Sequence, residues 1–179
     1  NQCSFEGPGK YPHRTSRELM RRNMLSGIMI QPGSWFASPG KVEKVVITDC
    51  HFDNLDNPFH LTLNQGNEGG DILIKGIKGT HLNQAAASIE SWHGSFFRNV
   101  HLSDISLEYT GNSDSKLKEI IPSKPATDYR QLPCWGFFIR NVNNITFEKV
   151  SLKFTGDEVR PAFYFDNTAS IHMDKTDCK

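Results

Sequence analysis

Two nine-residue stretches decide the fold: residues 99–107, NVHLSDISL, and residues 144–152, NITFEKVSL. Both run polar, apolar, any, apolar, two polar, apolar, any, apolar. The same phrase occurs three more times, as KVVITDCHF at residues 44–52, DILIKGIKG at 71–79 and SIHMDKTDC at 170–178. Successive starts lie 27, 28, 45 and 26 residues apart. A recurring interval of this size marks stacked repeats rather than a layered globular domain. Apolar residues alternate inside each phrase, as in strands with one buried face. Stacking the phrases predicts three columns of side chains. The first is Val45, Ile72, Val100, Ile145 and Ile171, and the second is Ile47, Ile74, Leu102, Phe147 and Met173. The third is Cys50, Ile77, Ile105, Val150 and Thr176.

A second strand follows each phrase at a similar distance: PFHLTLN from Pro58, AASIESW from Ala86, GFFIRN from Gly136 and PAFYFDN from Pro161. GIMIQPG from Gly27 fits ahead of them. Bends rich in Gly, Asn and Asp join these strands. The expected fold is therefore all-β: a right-handed parallel β-helix, a single-stranded solenoid, occupying residues 1–179 as one partial domain. An α-solenoid has a similar interval, but β-branched and aromatic residues and a period of two exclude it. Loop excursions are expected at about 7–24 and at 111–133. The second explains the 45-residue interval, and its Ser, Lys, Asp and Pro read as exposed. The opening NQCSF repeats the second half of the phrase, with Cys3 in the Cys50 column and Phe5 beside Phe52. The chain then starts inside a strand with no cap over its first edge. It is expected to be the C-terminal coils of a longer helix, with the upstream part of that helix as its partner.

Composition excludes several classes. Lys+Arg and Asp+Glu are both 20, so there is no excess positive charge to neutralise the phosphates of a nucleic acid. No stretch approaches the roughly 18 apolar residues that cross a membrane. Residue 1 is not Met, and no basic n-region or signal-peptide core follows it, so a processed or cut end is expected. A hydrophobic content of 37% suits coils that each expose much of their length to water. The four cysteines include no CxxC or Cys/His spacing for zinc. Cys3 and Cys50 fall side by side, but parallel side chains in a ladder seldom present a disulfide torsion. The sequon at Asn144 opens a repeat phrase and reads as chance.

SGIMIQPGSW and VEKVVITDCHFDNLDNPFHLTL (from Ser26 and Val42) resemble family 28 glycoside hydrolases, the polygalacturonase-like enzymes, from their Arg-Ile-Lys strand into the next coil. WGFFIRNVNNITFEKVSLKFTGDEVRPAFYFDN, from Trp135, resembles their closing coils. The resemblance implies a right-handed parallel β-helix of the pectin-lyase-like kind that hydrolyses pectic or related plant polysaccharide, in a secreted or periplasmic setting and without a cofactor. Such hydrolysis needs one carboxylic acid to protonate the leaving oxygen and a carboxylate to activate water. In the family these acids, in Asn-Thr-Asp and Asp-Asp motifs, and a Gly-His-Gly precede the Arg-Ile-Lys strand. Here that strand is Met29-Ile30-Gln31, and none of these motifs precedes it. The acid pair is accordingly expected upstream of this chain, and the two cations that would hold a uronate are replaced by Met29 and Gln31.

On the second strands, alternation points one set of side chains outward: Met29 and Gln31, His60 and Thr62, Ser88 and Glu90, Phe138 and Arg140, Tyr164 and Asp166. Stacked, they form an expected surface strip. The substrate-binding candidates are Gln31, Trp35, His60, Thr62, Glu90, Trp92, His93 and Arg140, because sugar sites combine planar rings with paired donors and acceptors. Glu90 is the one catalytic candidate, but a lone carboxyl is not the pair that the chemistry needs. Trp92 equally fits packing against the next coil, and Arg140 fits an ion pair with Asp166 or Glu90. No metal site is expected, since nothing in the spacing of Asp53, Asp56 and Asp71 makes oxygen ligands converge. Two other functions share the scaffold: a polysaccharide lyase, which would use calcium or a basic proton abstractor, and a non-catalytic glycan-binding or structural β-helix.

Overall fold

The computed structural model describes residues 3–6, 26–33, 39–83, 85–126 and 130–179. The excursion expected at about 7–24 lies outside them. The described chain is almost entirely β, in thirteen strands: β1 (Cys3–Glu6), β2 (Ser26–Ile30), β3 (Gly40–Thr48), β4 (Cys50–Asp53), β5 (Asn57–Leu63), β6 (Asn67–Leu82), β7 (Ala87–Ser91), β8 (Phe97–Tyr109), β9 (Phe137–Arg140), β10 (Val142–Phe154), β11 (Phe163–Asp166), β12 (Ala169–Asp174) and β13 (Asp177–Cys178). The strands form two sheets. The larger is ordered β1-β4-β6-β8-β10-β12, with β3 also on β6 and β13 on β10. The smaller is ordered β11-β9-β7-β5-β2. Every pairing in both sheets is parallel.

The phrases pair in the expected register. Val45, Ile72, Val100, Ile145 and Ile171 are consecutive partners, and so are Ile47, Ile74, Leu102, Phe147 and Met173. Cys3 pairs with Cys50, and Phe5 with Phe52. Inner members of the columns are fully buried, while Ile171 and Met173 at one end are 38% and 46% exposed. The apolar period of two therefore becomes one continuous core between the sheets. Phe137 sits at its centre, with ring centroids 5.6 Å from Phe163 and 5.9 Å from Phe59. The Tyr109 hydroxyl, deep in this core, donates to the Gly136 carbonyl at 3.0 Å and accepts from the Ala87 N–H at 3.4 Å. A buried phenol needs such partners.

The polar positions of the phrase turn out to be bends. Its first residue is left-handed in every copy: Lys44, Asp71, Asn99, Asn144 and Ser170 have φ between 51° and 64°. The sixth is left-handed too, at Asp49, Gly76, Asp104, Lys149 and Lys175. Asn and Asp tolerate this conformation better than other non-glycine residues. The amide of Asn144 donates to Asn99 and that of Asn99 to Asp71, each at 3.0 Å, so the bends stack as side-chain ladders. Gly76 is needed for space as well, since a Cβ there would lie 2.6 Å from the Asp49 carboxylate. All four cysteines are free.

Candidate functional site

The smaller sheet carries the expected strip in register. Met29, His60, Ser88, Phe138 and Tyr164 form one outward row. Thr62, Glu90, Arg140 and Asp166 form the next. The expectation that the strip is exposed holds at its ends, where Met29 and Tyr164 are 38% and 36% exposed, and fails in its middle. His60, Thr62, Ser88, Glu90 and Phe138 are each at most 2% exposed. The cover comes from Ala126, Arg130 and Leu132 of the excursion expected at 111–133, whose residues 113–116, 118, 119, 121, 123 and 124 are exposed as expected. That excursion carries a short 3-10 helix (Ser115–Glu119) whose Leu117 is buried. Leu132 then packs with Ala86, Cys134 and Phe138 over the strip. This strap brings a residue that the sequence reading did not select, Arg130, whose guanidinium donates to Glu90.

Glu90 is the electrostatic centre. Its Oε2 accepts from the Trp92 indole N–H at 2.8 Å and from Arg130. Its Oε1 accepts no hydrogen bond and lies 3.6 Å from His60 Nδ1, too long for one. Burial pushes the Glu90 carboxyl above the usual range, against the opposing pull of Arg130, Trp92 and Arg140. His60 is held low, at about 4, chiefly by burial, and is neutral near pH 7. Its Nε2 meets the Ala126 carbonyl at 3.3 Å, which requires the proton there. Nδ1 then accepts from the Ser88 hydroxyl at 2.5 Å, and Thr62 Oγ1 sits 2.8 Å from Nε2. Arg140 pairs with Asp166 rather than with Glu90, and lies over the Trp92 ring at 4.2 Å. Arg130 lies 5.3 Å from the same ring.

The structure thus gathers His60, Thr62, Glu90, Trp92 and Arg140. Trp92 is 4% exposed and packs against the Arg140 and Arg130 guanidiniums, as its packing reading expects. Gln31 sits one residue past the Ile30–Leu61 pair, and its amide turns back on the Met29 sulfur. His93 stands apart, exposed at a left-handed bend beside Asn67, Ser95 and Arg98. Trp35 lies outside the described residues. The sequence signal for Arg130 is weak: a single Arg between Pro125 and Pro133, just ahead of the apolar Leu132 and Cys134-Trp135. Among the described residues, no three His, Cys, Asp or Glu side chains stand close enough together to hold a metal ion. Glu90 and Asp166 are two strand spacings apart, about 9.6 Å, but each is tied to an arginine. As arranged they stabilise a closed surface.

Among curated proteins the chain is similar to an exopolygalacturonase of Arabidopsis thaliana, 26% identical over 145 residues. The match covers 70% of this chain and 32% of that protein, so the chain spans about a third of its length. No protein-family model matches, and no solved structure matches.

Proposed function

We propose that this chain belongs to a right-handed parallel β-helix protein that acts on pectic or related plant polysaccharide as a glycoside hydrolase. The observation that carries this reading is the distant similarity to an exopolygalacturonase over 145 residues. The parallel register of both sheets supports the winding, and parallel crossovers in one sheet are right-handed in nearly all proteins. Residues 1–179 form one partial domain in this reading, preceded by further coils of the same helix. The acid pair lies in those coils, because among the described residues the two carboxyls on the smaller sheet's outer strip, Glu90 and Asp166, are held by Arg130 and Arg140. The protein is secreted or periplasmic, where its polymer substrate is found.

A second reading, a non-catalytic glycan-binding or structural module, is favoured by the same closed ion pairs. Assays of reducing ends released from pectin and polygalacturonate separate the two. The isolated chain is expected to release none, and a longer natural protein containing it is expected to release them. Turnover by residues 1–179 alone would overturn the placement of the acids. A longer protein silent on every pectic polymer would overturn the hydrolase reading.

A further inference from the structure

We infer that a hollow at the corner between the two sheets is a binding site for one small oxyanion group, carried either by an acidic sugar unit or by free inorganic phosphate. It lies outside the outer strip and does not depend on the hydrolase reading above. The hollow forms where the chain passes from β5 to β6 and from β7 to β8, and its volume is about 240 Å³. That is below the roughly 300 Å³ at which sites for larger ligands begin, so it takes a single ring or ion rather than a stretch of polymer. Two turns shape its rim, with Gly66 and Gly94 both at φ +81°. The Gly94 side is unobstructed, since a Cβ there would meet nothing within 4 Å. The half-buried Phe96 gives an apolar flank.

Its charges select an anion. Arg98 and His93, both exposed, line the hollow. Among the described residues neither side chain makes an ion pair or a hydrogen bond. The carboxylate in the lining, Glu68, is held by Lys41 at 3.3 Å. The chain as a whole is neutral, with 20 cationic and 20 anionic side chains, so the pull on an anion is local. A guanidinium presents a planar fork of donors that fits a carboxylate or a phosphate, and a neutral sugar would leave that charge unpaired.

The wall of the hollow makes the same demand through its hydrogen bonds. The Asn64 carbonyl accepts from the Asn67 backbone N–H at 3.0 Å, from the Asn67 side-chain amide at 3.2 Å and from the Ser95 hydroxyl at 2.9 Å. A carbonyl oxygen has two lone pairs, so three donors crowd it. Asn67 is only 2% exposed, and its Oδ1 is buried with no hydrogen bond. Buried acceptors are rarely left in that state. The wall therefore has one donor to spare and one acceptor short of a partner. A ligand with both an oxyanion and an O–H, as an acidic sugar or hydrogen phosphate has, answers both. The oxyanion takes the Ser95 hydroxyl beside Arg98 and His93, and the ligand O–H, or a water it carries in, supplies the missing donor.

The test titrates the chain of residues 1–179 with inorganic phosphate, with D-galacturonate and, as the neutral control, with D-galactose, read by the amide resonances of Gly94 and Ser95. At least one anion should shift these resonances saturably, and galactose should not. Tighter galacturonate assigns the site to an acidic sugar, and tighter phosphate assigns it to the free inorganic ion. Arg98→Ala should weaken the tighter anion at least tenfold. Arg98 is exposed, so its thermal melt should match that of the unaltered chain. Lys78→Ala, which removes one exposed cation further along β6, should change the affinity less than twofold. No saturable shift by either anion, or galactose bound as tightly as the anions, would overturn the site. So would equal losses in the Arg98 and Lys78 variants, which would reduce the effect to bulk charge. None of these outcomes bears on the longer protein's action on pectic polymers, by which the hydrolase reading stands or falls.

Discussion

Leu102 offers the sharpest test of the stacked core. It is fully buried and has Ile74 and Phe147 as its column neighbours in the adjoining strands. Leu102→Ala removes about three carbons, which at roughly 0.8 kcal/mol each is about 2.4 kcal/mol of lost transfer energy. Strands above and below hold the site open, so a cavity term adds to this and the expected loss is about 3–4 kcal/mol. Met173 belongs to the same column but is 46% exposed. Its replacement by Ala leaves no closed cavity and should cost about 1 kcal/mol or less by the same transfer reasoning. Urea unfolding followed by far-ultraviolet circular dichroism measures both. With m values of about 1–3 kcal/mol/M, the Leu102 variant should unfold at least about 0.7 M earlier than the Met173 variant. Equal midpoints would show that Leu102 does not sit in a sealed column, and the stacking argument would fail with it.

Acid should weaken the fold through His60, whose pKa falls from 6.5 to about 4 on folding. The unfolded chain takes up this proton first, so the contribution is intact above about pH 6.5 and is lost down to about pH 4, at most about 3 kcal/mol. Glu90 has the opposite sign, because its raised carboxyl favours the fold at low pH. Subtracting the stability–pH curve of His60→Gln isolates the imidazole, and a flat difference between pH 6.5 and 4 would refute its burial. Tyr109→Phe should cost about 1 kcal/mol in a thermal melt by removing the hydroxyl's bond to the Gly136 carbonyl, which keeps the Ala87 N–H as its other donor; an unchanged melt would count against that bond. Gly111→Ala should cost at least about 2 kcal/mol, since φ is +79° and the new Cβ would lie 2.5 Å from the Asp157 carbonyl. A variant as stable as the parent would contradict that close approach.

Period-two alternation fixes which residues share a face, so the columns and the outward rows were legible in the sequence down to single partners such as Ile47 with Ile74 and Glu90 with Arg140. The bends were half legible. Asn, Asp and Gly at the first and sixth phrase positions are turn formers, but Lys44, Lys149 and Lys175 adopt the same left-handed geometry without that signature. In those copies, pairing of the neighbouring strands overrides the local preference. The cover was not legible. Alternation says which way His60 and Glu90 point, not what lies above them, and residues 111–133 are polar enough to pass for an exposed loop. Three side chains spaced along that segment, Leu117, Arg130 and Leu132, reverse the outcome, and no short-range pattern connects them. Trp92 shows the same limit: beside a strand end it fits a sugar platform or an inner wedge, and the sequence does not reveal that Arg130 and Arg140 come over its ring.

The segment between β8 and β9 enters and leaves at one corner without disturbing the eleven pairs that join β8 to β10. That corner behaves as a port in the scaffold. Foreign peptide could be grafted there, or the whole detour replaced by a short link, while the frame keeps its alignment. A single residue added inside a phrase has no such outlet and would turn every later side chain of that strand inside out. Variation along this chain is therefore channelled to the corners, where a lineage can remodel what the surface displays and leave the architecture beneath it alone.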